Sequence, residues 1–416
     1  MIAETDSMLA PYRVLDLTNE WGFLCGRLLG DLGADVIKIE KPGGDPARNV
    51  GPFYHDIPHP EKSLYWFFYN ANKRGITLNM ETADGKEIFK KLVKKADFVI
   101  ESFQPGYMDS LGLGYSVLSE INPRVIMTSI TPFGQSGPYS KYKGSDIVTM
   151  ALCGWMYKCG DPDRAPLQMG FPQAYFHAAA QAAAGTLMAH YYREMTGEGQ
   201  HVDASPLPWM TYFSQAPIRW YVTGKSESRH GQLWEWSSRP LVRYVWECKD
   251  GSVCFAVTGA ARFGRSQRAL VEWMDSEGMA PDYIKEIDWA TLDFGSINQK
   301  MRDRLEEPIA SFFKQKTKAE LFQEAVKRGI VLFPASTAKE LLEDPQLASR
   351  SYWVEVEHPE LGTNIIYPGA FFKSSETSWS MKRRAPLIGE HNEALYVNEL
   401  GFSKEELIML KGNNII

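Results

Sequence analysis

The sequence predicts an α/β fold in which a parallel sheet is covered by helices. Short runs of β-branched residues and leucine alternate with amphipathic segments through the first half of the chain. Each amphipathic segment is long enough for a crossover helix, which consecutive parallel strands require. The 416 residues are 44% hydrophobic and 23% charged, which is typical of a soluble globular protein long enough for two domains. We therefore expect a Rossmann-like large domain together with a smaller α+β domain.

Five apolar runs are the expected strands of the large domain. They cover residues 12–18, 34–40, 75–80, 96–103 and 124–130. The segment between the first two runs places Leu28, Leu29 and Leu32 on one helical face, and Gly33 suits the end of that helix. This strand, helix, strand spacing indicates right-handed crossovers within one sheet.

A second crossover helix is expected to begin near Asp84, where Glu87 would complete a capping box. Its core face consists of Ile88, Phe89, Leu92 and Val93.

A long uncharged segment follows the predicted sheet strands. No Asp, Glu, Lys or Arg occurs from residue 165 through residue 192, and six alanines lie between residues 178 and 184. Alanine favours helix, and its small side chain lets another element approach the backbone closely. The segment is too polar for a membrane span, because it is interrupted by Pro172, Gln173, His177, Gln181 and His190. We expect a buried helix and no membrane anchor.

Composition changes after residue 205 and suggests four regions. We expect the first part of the large domain at 1–205, a linker at 206–240, the small domain at 241–328, and a second linker with a return to the large domain at 329–416. Within the small domain, residues 241–257 predict a hairpin that turns at residues 249–251. Helices are expected at 262–277 and 302–328.

The charge pattern and the cysteines exclude several classes of protein. A net charge of -6 and an isoelectric point near 5.9 argue against a nucleic-acid-binding surface. The five cysteines form no CxxC pair, so we expect reduced thiols in the cytoplasm and no metal site. Residues 1–14 lack the apolar run of a signal peptide. No Walker loop, GxGxxG, HExxH or GxSxG motif is present.

Seven blocks of sequence, taken in order, resemble the class III CoA-transferase family. They are RVLDLT, LLGDLGADVIKIEKPGGDPAR, NANKRGITLNM, ADFVIESFQPG, NPRVIMTSITPFGQSGPY, REMTGEGQHVDAS and APLIGEHNEAL. The resemblance implies an interlocked dimer whose linkers thread through the partner chain. It also implies that acyl-CoA esters are the substrates.

The head group of coenzyme A carries several phosphates and a flat adenine, so its site needs cations and an aromatic surface. We expect the binding residues near the carboxyl ends of the strands. Ser110 falls where a relative has a basic residue, so the resemblance does not carry that contact over to this chain. The candidate CoA-binding residues are basic residues together with one hydroxyl, one aromatic ring and one acid. They are Lys41, Arg48, Lys73, Arg74, Ser102, Phe103, Lys143 and Asp146.

The family mechanism uses an aspartate that attacks the thioester, and this chain lacks it. Counting back from the TG of REMTGEGQ, the family aspartate falls on Tyr175, and no acid occurs between Asp163 and Glu194. A phenol with a pKa of about 10 is mostly protonated at neutral pH and is a poor nucleophile. A racemase relative would need the same acid and a histidine at the position of Ser145. The glycine-rich loop of formyl-CoA transferases has no counterpart between residues 222 and 240.

The resemblance therefore implies a non-catalytic subunit of a heteromeric CoA-transferase. A paralogous catalytic subunit would carry the aspartate and move CoA from succinyl-CoA to an organic acid such as benzylsuccinate, in anaerobic aromatic degradation. Two alternatives remain open. The chain could be a homodimeric acyl-CoA-binding pseudoenzyme, or a transferase that uses a different acid, with Glu101 or Asp146 as the first suspects.

Overall fold

The computed structural model describes residues 7–214, 216–225, 229, 231, 233–234, 241–259, 263–293, 296–377 and 379–416. The chain divides into two compact units. The first contains Met1–Trp155, Met169–Ile218 and Pro345–Ile416, and the second contains Met156–Gln168 and Arg219–Asp344. The first unit thus continues beyond residue 205 and resumes at residue 345, whereas the sequence suggested boundaries at 205 and 329.

A six-stranded parallel sheet forms the centre of the first unit. Its strands are β1 (Arg13–Leu17), β2 (Asp35–Glu40), β3 (Lys73–Thr77), β4 (Phe98–Glu101), β5 (Ile126–Ile130) and β6 (His201–Ala204). The strand order is β3-β2-β1-β4-β5-β6, and in the register Leu15 lies opposite both Ile37 and Val99. All three of these side chains are fully buried. The expected Rossmann-like class is confirmed, because this is the doubly wound strand order.

In the described part of the chain, ten helices lie between Phe23 and Thr223. They are α1 (Phe23–Asp31), α2 (Leu64–Asn70), α3 (Ala83–Val93), α4 (Tyr107–Ser110), α5 (Tyr115–Ile121), α6 (Asp146–Leu152), α7 (Trp155–Lys158), α8 (Gln173–Thr196), α9 (Pro206–Ser214) and α10 (Ala216–Thr223). Short 3-10 helices cover Pro46–Asn49 and Tyr54–Asp56.

Helix α3 buries the face that the sequence predicted, but its cap is different. Ile88, Phe89, Leu92 and Val93 are all buried. The helix begins after Thr82, whose hydroxyl accepts a hydrogen bond from the Gly85 amide. The predicted capping box at Asp84 and Glu87 is wrong, because Glu87 bonds to Lys90 instead. Threonine is a good N-cap residue, but the sequence prediction assigned the cap to the nearby Asp84 instead.

Helix α8 packs its small residues against the sheet. Ala178, Ala182 and Ala183 are buried, and the Thr186 and Thr128 hydroxyls hydrogen-bond across 2.7 Å. The opposite face carries large exposed side chains, so the helix that was expected to be buried is buried on one face only. No helix within the described ranges is long and apolar enough to cross a membrane.

The second unit has its own core around a hairpin. Its strands are β7 (Leu233–Trp234), β8 (Val242–Arg243), β9 (Val245–Cys248), β10 (Gly251–Cys254) and β11 (Phe333–Pro334), and its helices are α11 (Gly264–Ser276), α12 (Asp282–Lys285), α13 (Gln299–Phe313), α14 (Lys318–Arg328) and α15 (Ala338–Leu342). Cys248 pairs with Gly251, which confirms the predicted turn. The single helix predicted at 302–328 is two helices, because Thr317 and Glu320 form a capping box that starts α14.

The C-terminal residues return to the first unit. They form α16 (Pro345–Ser349), β12 (Trp353–His358), β13 (Thr363–Pro368), a π-helix at Glu393–Glu399 and α17 (Lys404–Gly412). The Tyr396 hydroxyl donates to the Thr77 carbonyl at 2.7 Å, and the Asn79 amide donates to the Ile415 carbonyl at 2.7 Å. These bonds attach the C-terminal segment to the edge of the sheet beside β3.

Candidate active site at the switch point of the sheet

A cavity of about 880 Å³ opens at the carboxyl ends of the strands of the first unit. It is lined by residues that follow β1, β2 and β4 directly, including Glu20, Lys41 and Ser102, and by Tyr175 at the start of α8. Strands β1 and β4 are the neighbours at which the strand order reverses, so their loops diverge and leave a crevice. Open α/β sheets bind ligands in this crevice.

The loop after β1 is fixed by Ser102. The Ser102 hydroxyl accepts a hydrogen bond from the Asn19 amide at 2.7 Å and donates to the Asn19 side-chain oxygen at 2.8 Å. The Trp21 amide donates to that same side-chain oxygen. Ser102 therefore lines the cavity, and its hydroxyl proton is used to hold the loop.

On one side of the cavity, a lysine and two aromatic side chains lie together. The Lys41 ammonium group lies 2.8 Å from Glu81, and its side chain is 62% exposed. Tyr107 donates a hydrogen bond to the same Glu81 oxygen, and its ring lies 4.8 Å from that of Phe103. The hydrogen bonds from Lys41 and Tyr107 lower the pKa of Glu81. Lys41 and Phe103 are thus brought together as the sequence predicted, at a place that can receive a phosphate and a flat ring.

Tyr175 is the third residue of α8 and lines the same cavity. Its ring meets the Trp21 ring edge to face at 4.5 Å. Burial raises the pKa of its phenol, and the charge of Glu20 raises it further, while a hydrogen bond from the Asp146 backbone acts in the opposite direction. The phenol is therefore protonated near neutral pH and carries no charge for nucleophilic attack.

Arg48 is not a ligand-binding residue, which corrects the sequence prediction. Its side chain is 1% exposed and lies 3.9 Å above the Trp66 ring. Two of its nitrogens donate to Glu40 at 2.7 Å, a third donates to Glu61 at 2.8 Å, and one also reaches the Pro386 carbonyl. Four of its five N–H donors are thus used, and the buried guanidinium does not line the cavity where a phosphate would bind.

Lys73 is also buried beneath the sheet and cannot reach a ligand. Its ammonium group donates to Asp16 at 2.7 Å, to the Phe23 carbonyl at 2.8 Å and to Asn70 at 2.8 Å. Burial lowers the pKa of Lys73 to about 8, although Asp16 opposes that shift. All three donors of the ammonium are used, so the prediction that Lys73 contacts CoA is wrong.

Arg74 lies at the wrong end of the sheet. Residue 74 precedes the predicted run at 75–80, and in β3 it likewise lies at the amino end of the strand, away from the carboxyl ends where CoA was expected to bind. There it forms ion pairs with Asp35 and Glu399. Lys143 is exposed between β5 and α6 and does not line the cavity, so its role stays a prediction.

The two acids suspected as substitute nucleophiles are both held by backbone amides. Asp146 is buried at the start of α6, and its carboxylate accepts from the Ala174 amide at 2.6 Å. It ties α6 to α8 and does not line the cavity, which corrects its expected role in cofactor binding. Glu101 is 3% exposed and accepts from the Phe103 amide at 2.7 Å. Burial raises the pKa of Glu101 to about 7.

Sequence reasoning missed three residues that line the cavity: Glu20, Tyr65 and Tyr107. Glu20 could have been found, because it follows the first strand within a few residues, where the switch-point rule places ligand contacts. Tyr65 lies on α2, far from any strand end in the sequence, and carries no such signal. Among the described residues, no group of histidine, cysteine and acidic side chains is placed to hold a metal ion.

Comparison with known proteins agrees with this geometry. A model of CoA-transferase family III matches residues 9–392. The chain belongs to CoA-transferase family III. It is 35% identical to the BbsE subunit of succinyl-CoA:(R)-benzylsuccinate CoA-transferase from Thauera aromatica, with 95% of each chain covered. It is 32% identical to formyl-CoA:oxalate CoA-transferase from Streptomyces coelicolor, with 99% of this chain and 100% of the relative covered.

A solved structure shares the fold. The chain matches a CAIB/BAIF family protein from Brucella suis with a TM-score of 0.80 at 27% identity, over 94% of this chain and 99% of the other. The family expected from seven sequence blocks is thereby confirmed.

Proposed function

We propose that this chain is the subunit of a heteromeric class III CoA-transferase that does not carry the nucleophile. A paralogous catalytic subunit supplies the aspartate, and the complex moves CoA from succinyl-CoA to an organic acid such as benzylsuccinate. The observation that carries the proposal is Tyr175, a protonated phenol that lines the cavity and to which the sequence resemblance assigns the place of the family aspartate. The similarity to a named subunit of a succinyl-CoA transferase supports both the subunit role and the donor.

The chemistry explains why Tyr175 cannot replace the aspartate. In the family reaction a carboxylate attacks the thioester carbon, CoA leaves as a thiolate, and a mixed anhydride keeps the acyl group activated. Attack by a phenol requires loss of its proton first, and burial together with Glu20 makes that loss harder. The cavity can still bind a CoA ester, with Lys41 near a phosphate, Phe103 and Tyr107 beside the adenine, and the acyl end towards Tyr175.

Exposed apolar side chains support a partner chain. On α8, Met188, Tyr191 and Met195 are 68%, 70% and 70% exposed. On α9, Tyr212 is 77% exposed. Apolar groups at this density are unusual on a free monomer and are typical of a surface covered by another subunit.

The test is to trap the acyl-enzyme. The purified chain and the co-expressed complex are incubated with succinyl-CoA and hydroxylamine, and the peptides are analysed by mass spectrometry. We expect no modified acid on this chain and one modified aspartate on the partner. Tyr175→Phe in the complex should leave turnover unchanged. A hundredfold fall in turnover with assembly intact would show that Tyr175 is catalytic and would contradict the proposal.

One observation favours a second candidate, a transferase that uses a different acid. Glu20 is a half-buried carboxylate in the same cavity as Tyr175, unlike Glu101 and Asp146. The same trapping experiment separates the two functions, because the second requires the label on Glu20.

A further inference from the structure

Two hydrogen-bond donors converge on a single oxygen at one side of the cavity. The Lys41 ammonium group lies 2.8 Å from Oε1 of Glu81, and the Tyr107 hydroxyl donates to the same oxygen at 2.9 Å. Lys41, Glu81 and Tyr107 all line the cavity. A cation and a hydroxyl that meet at one point can hold an oxygen of a carboxylate or of a phosphate equally well. In this structure the oxygen belongs to a side chain of the protein itself.

The Glu81 side chain can leave this point at little cost. It is 51% exposed and its partner Lys41 is 62% exposed, and an ion pair that is exposed to this extent contributes little to stability. The backbone of Glu81 is held separately, because its amide donates to the Asn79 side chain at 3.1 Å. Rotation of the carboxylate into solvent therefore frees both donors without moving the loop between β3 and α3.

The rings beside these donors suit the rest of the same ligand. The Phe103 ring lies 4.8 Å from the Tyr107 ring, and the Phe103 amide is fixed by a hydrogen bond of 2.7 Å to the Glu101 carboxylate. Nucleotide bases stack on aromatic side chains of this kind. An adenine can therefore lie against these rings while a phosphate of the same nucleotide reaches the Tyr107 hydroxyl and Lys41.

We propose that Glu81 is a stand-in for the 3′-phosphate of CoA. Its carboxylate occupies the point between Lys41 and Tyr107 when no ester is bound, and the phosphate displaces it on binding. The inference rests on the proposed function, because it assumes that this cavity binds a CoA ester, and it adds the Tyr107 hydroxyl to the groups that hold the phosphate.

The charges decide which group holds the two donors. A phosphate monoester carries a charge of about −1.5 to −2 at neutral pH, so it binds a cation and a hydroxyl more strongly than the single charge of Glu81 does. The displaced carboxylate stays close to the phosphate and repels it. Glu81 therefore lowers the affinity for CoA, and its return to Lys41 and Tyr107 helps the ester to leave.

The experiment measures the binding of CoA to the assembled complex by calorimetry. Lys41→Ala identifies the sites of this chain, because it should weaken only those sites. Glu81→Gln keeps the shape of the side chain but removes its charge, and it should raise the affinity of the same sites by about threefold to tenfold. This gain should shrink as the salt concentration rises, because salt screens the repulsion between exposed charges.

Glu87→Gln is the matched control. Glu87 is also an exposed glutamate that lies 2.8 Å from a lysine, but it is outside the cavity lining. Glu87→Gln should leave the affinity for CoA unchanged.

A second variant tests the hydroxyl. Tyr107→Phe keeps the ring and removes only the donor. In the wild type the loss should be small, because the hydroxyl exchanges one anionic oxygen for another when CoA binds. In the Glu81→Gln background, Tyr107→Phe should cost about threefold to tenfold in affinity, because the hydroxyl then gains a charged partner only in the complex.

The outcomes separate the inference from the proposed function. Equal or weaker binding of CoA by Glu81→Gln would overturn the inference and leave the proposed function intact, because Glu81 would then only support Lys41. An equal effect of Tyr107→Phe in both backgrounds would overturn it as well. If Lys41→Ala weakened no site of the complex, the binding of CoA in this cavity would be contradicted, and with it that part of the proposed function.

Discussion

Replacing Arg48 by methionine should destabilise the chain without weakening its binding of CoA. Methionine keeps much of the volume of the side chain but removes the charge and every donor. The Arg48 guanidinium bonds to Glu40 and Glu61, and the Glu40 side chain is completely buried. The variant would leave Glu40 as a buried carboxylate without its cation.

The size of the effect follows from these contacts. Removing one partner of a buried ion pair costs about 3–5 kcal/mol, because the remaining charge is neither solvated nor paired. The stacking of Arg48 on Trp66 at 3.9 Å adds roughly 1 kcal/mol. We therefore expect the free energy of unfolding to fall by about 3–5 kcal/mol, since these contributions are not additive.

Urea unfolding of the assembled protein measures this change, and Lys41→Ala is the matched control. Lys41 is 62% exposed and pairs with a Glu81 side chain that is 51% exposed. A pair of this kind contributes at most about 1 kcal/mol to stability. Lys41→Ala should instead lower the affinity for CoA by about tenfold, the usual loss for one charged hydrogen bond.

The double variant Glu40→Gln with Arg48→Met tests whether the stability lost in Arg48→Met comes from the unpaired charge of Glu40 or from general misfolding. It removes the buried charge that Arg48→Met leaves behind, so it should recover part of the lost stability. The opposite result would refute the reasoning: if Arg48→Met lowered CoA affinity at unchanged stability, Arg48 would be a phosphate ligand, as the sequence alone suggested.

Two further predictions concern pH and assembly. Burial raises the pKa of Glu101 from 4.5 to about 7, so the folded chain binds this proton more tightly, and the associated stability is full below pH 4.5 and is lost as pH rises through 7. Glu101→Gln should therefore remove about 3 kcal/mol of that decline in urea unfolding, and an unchanged pH profile would contradict the buried position. Native mass spectrometry after co-expression with a paralogue that carries the aspartate should show a 1:1 complex. A stable homodimer of this chain that excludes the paralogue would contradict this prediction.

Most of the fold could be predicted from the sequence because hydrophobic periodicity reports burial directly. The strands at 13–17, 35–40, 98–101 and 126–130 all lie within the predicted runs. Strand β3 starts two residues before its predicted run, at Lys73, which is buried in spite of its charge, and β6 (His201–Ala204) was not among the predicted runs. Sequence patterns treat lysine as a solvent-facing residue, and its burial depends on the carboxylate of Asp16, which comes from another strand, together with the Phe23 carbonyl and the Asn70 side chain.

Sequence patterns do not show which distant residues pair in the fold, and this also explains the errors in the candidate site. Arg48 and Lys41 both follow β2 and look alike in the sequence. Arg48 is turned inward by Glu61 and by the Pro386 carbonyl, which is 338 positions away. No local sequence pattern can reveal a partner that lies so far away along the chain. Glu20 was missed for the converse reason, because an acid was not expected where a polyanionic ligand should bind.

The position of Tyr175 predicts how activity could be restored. An aspartate there would lie in the first turn of a 24-residue helix, a turn that has no acid of its own and where the helix dipole favours a carboxylate. The backbone hydrogen bond from Asp146 would also favour it, but Glu20 would oppose it by repulsion. Tyr175→Asp alone should therefore give weak or no transferase activity. Combining it with Glu20→Gln should give more, measured as thioester exchange at saturating CoA ester. If the single variant were as active as the double, the charge of Glu20 would not act on this position.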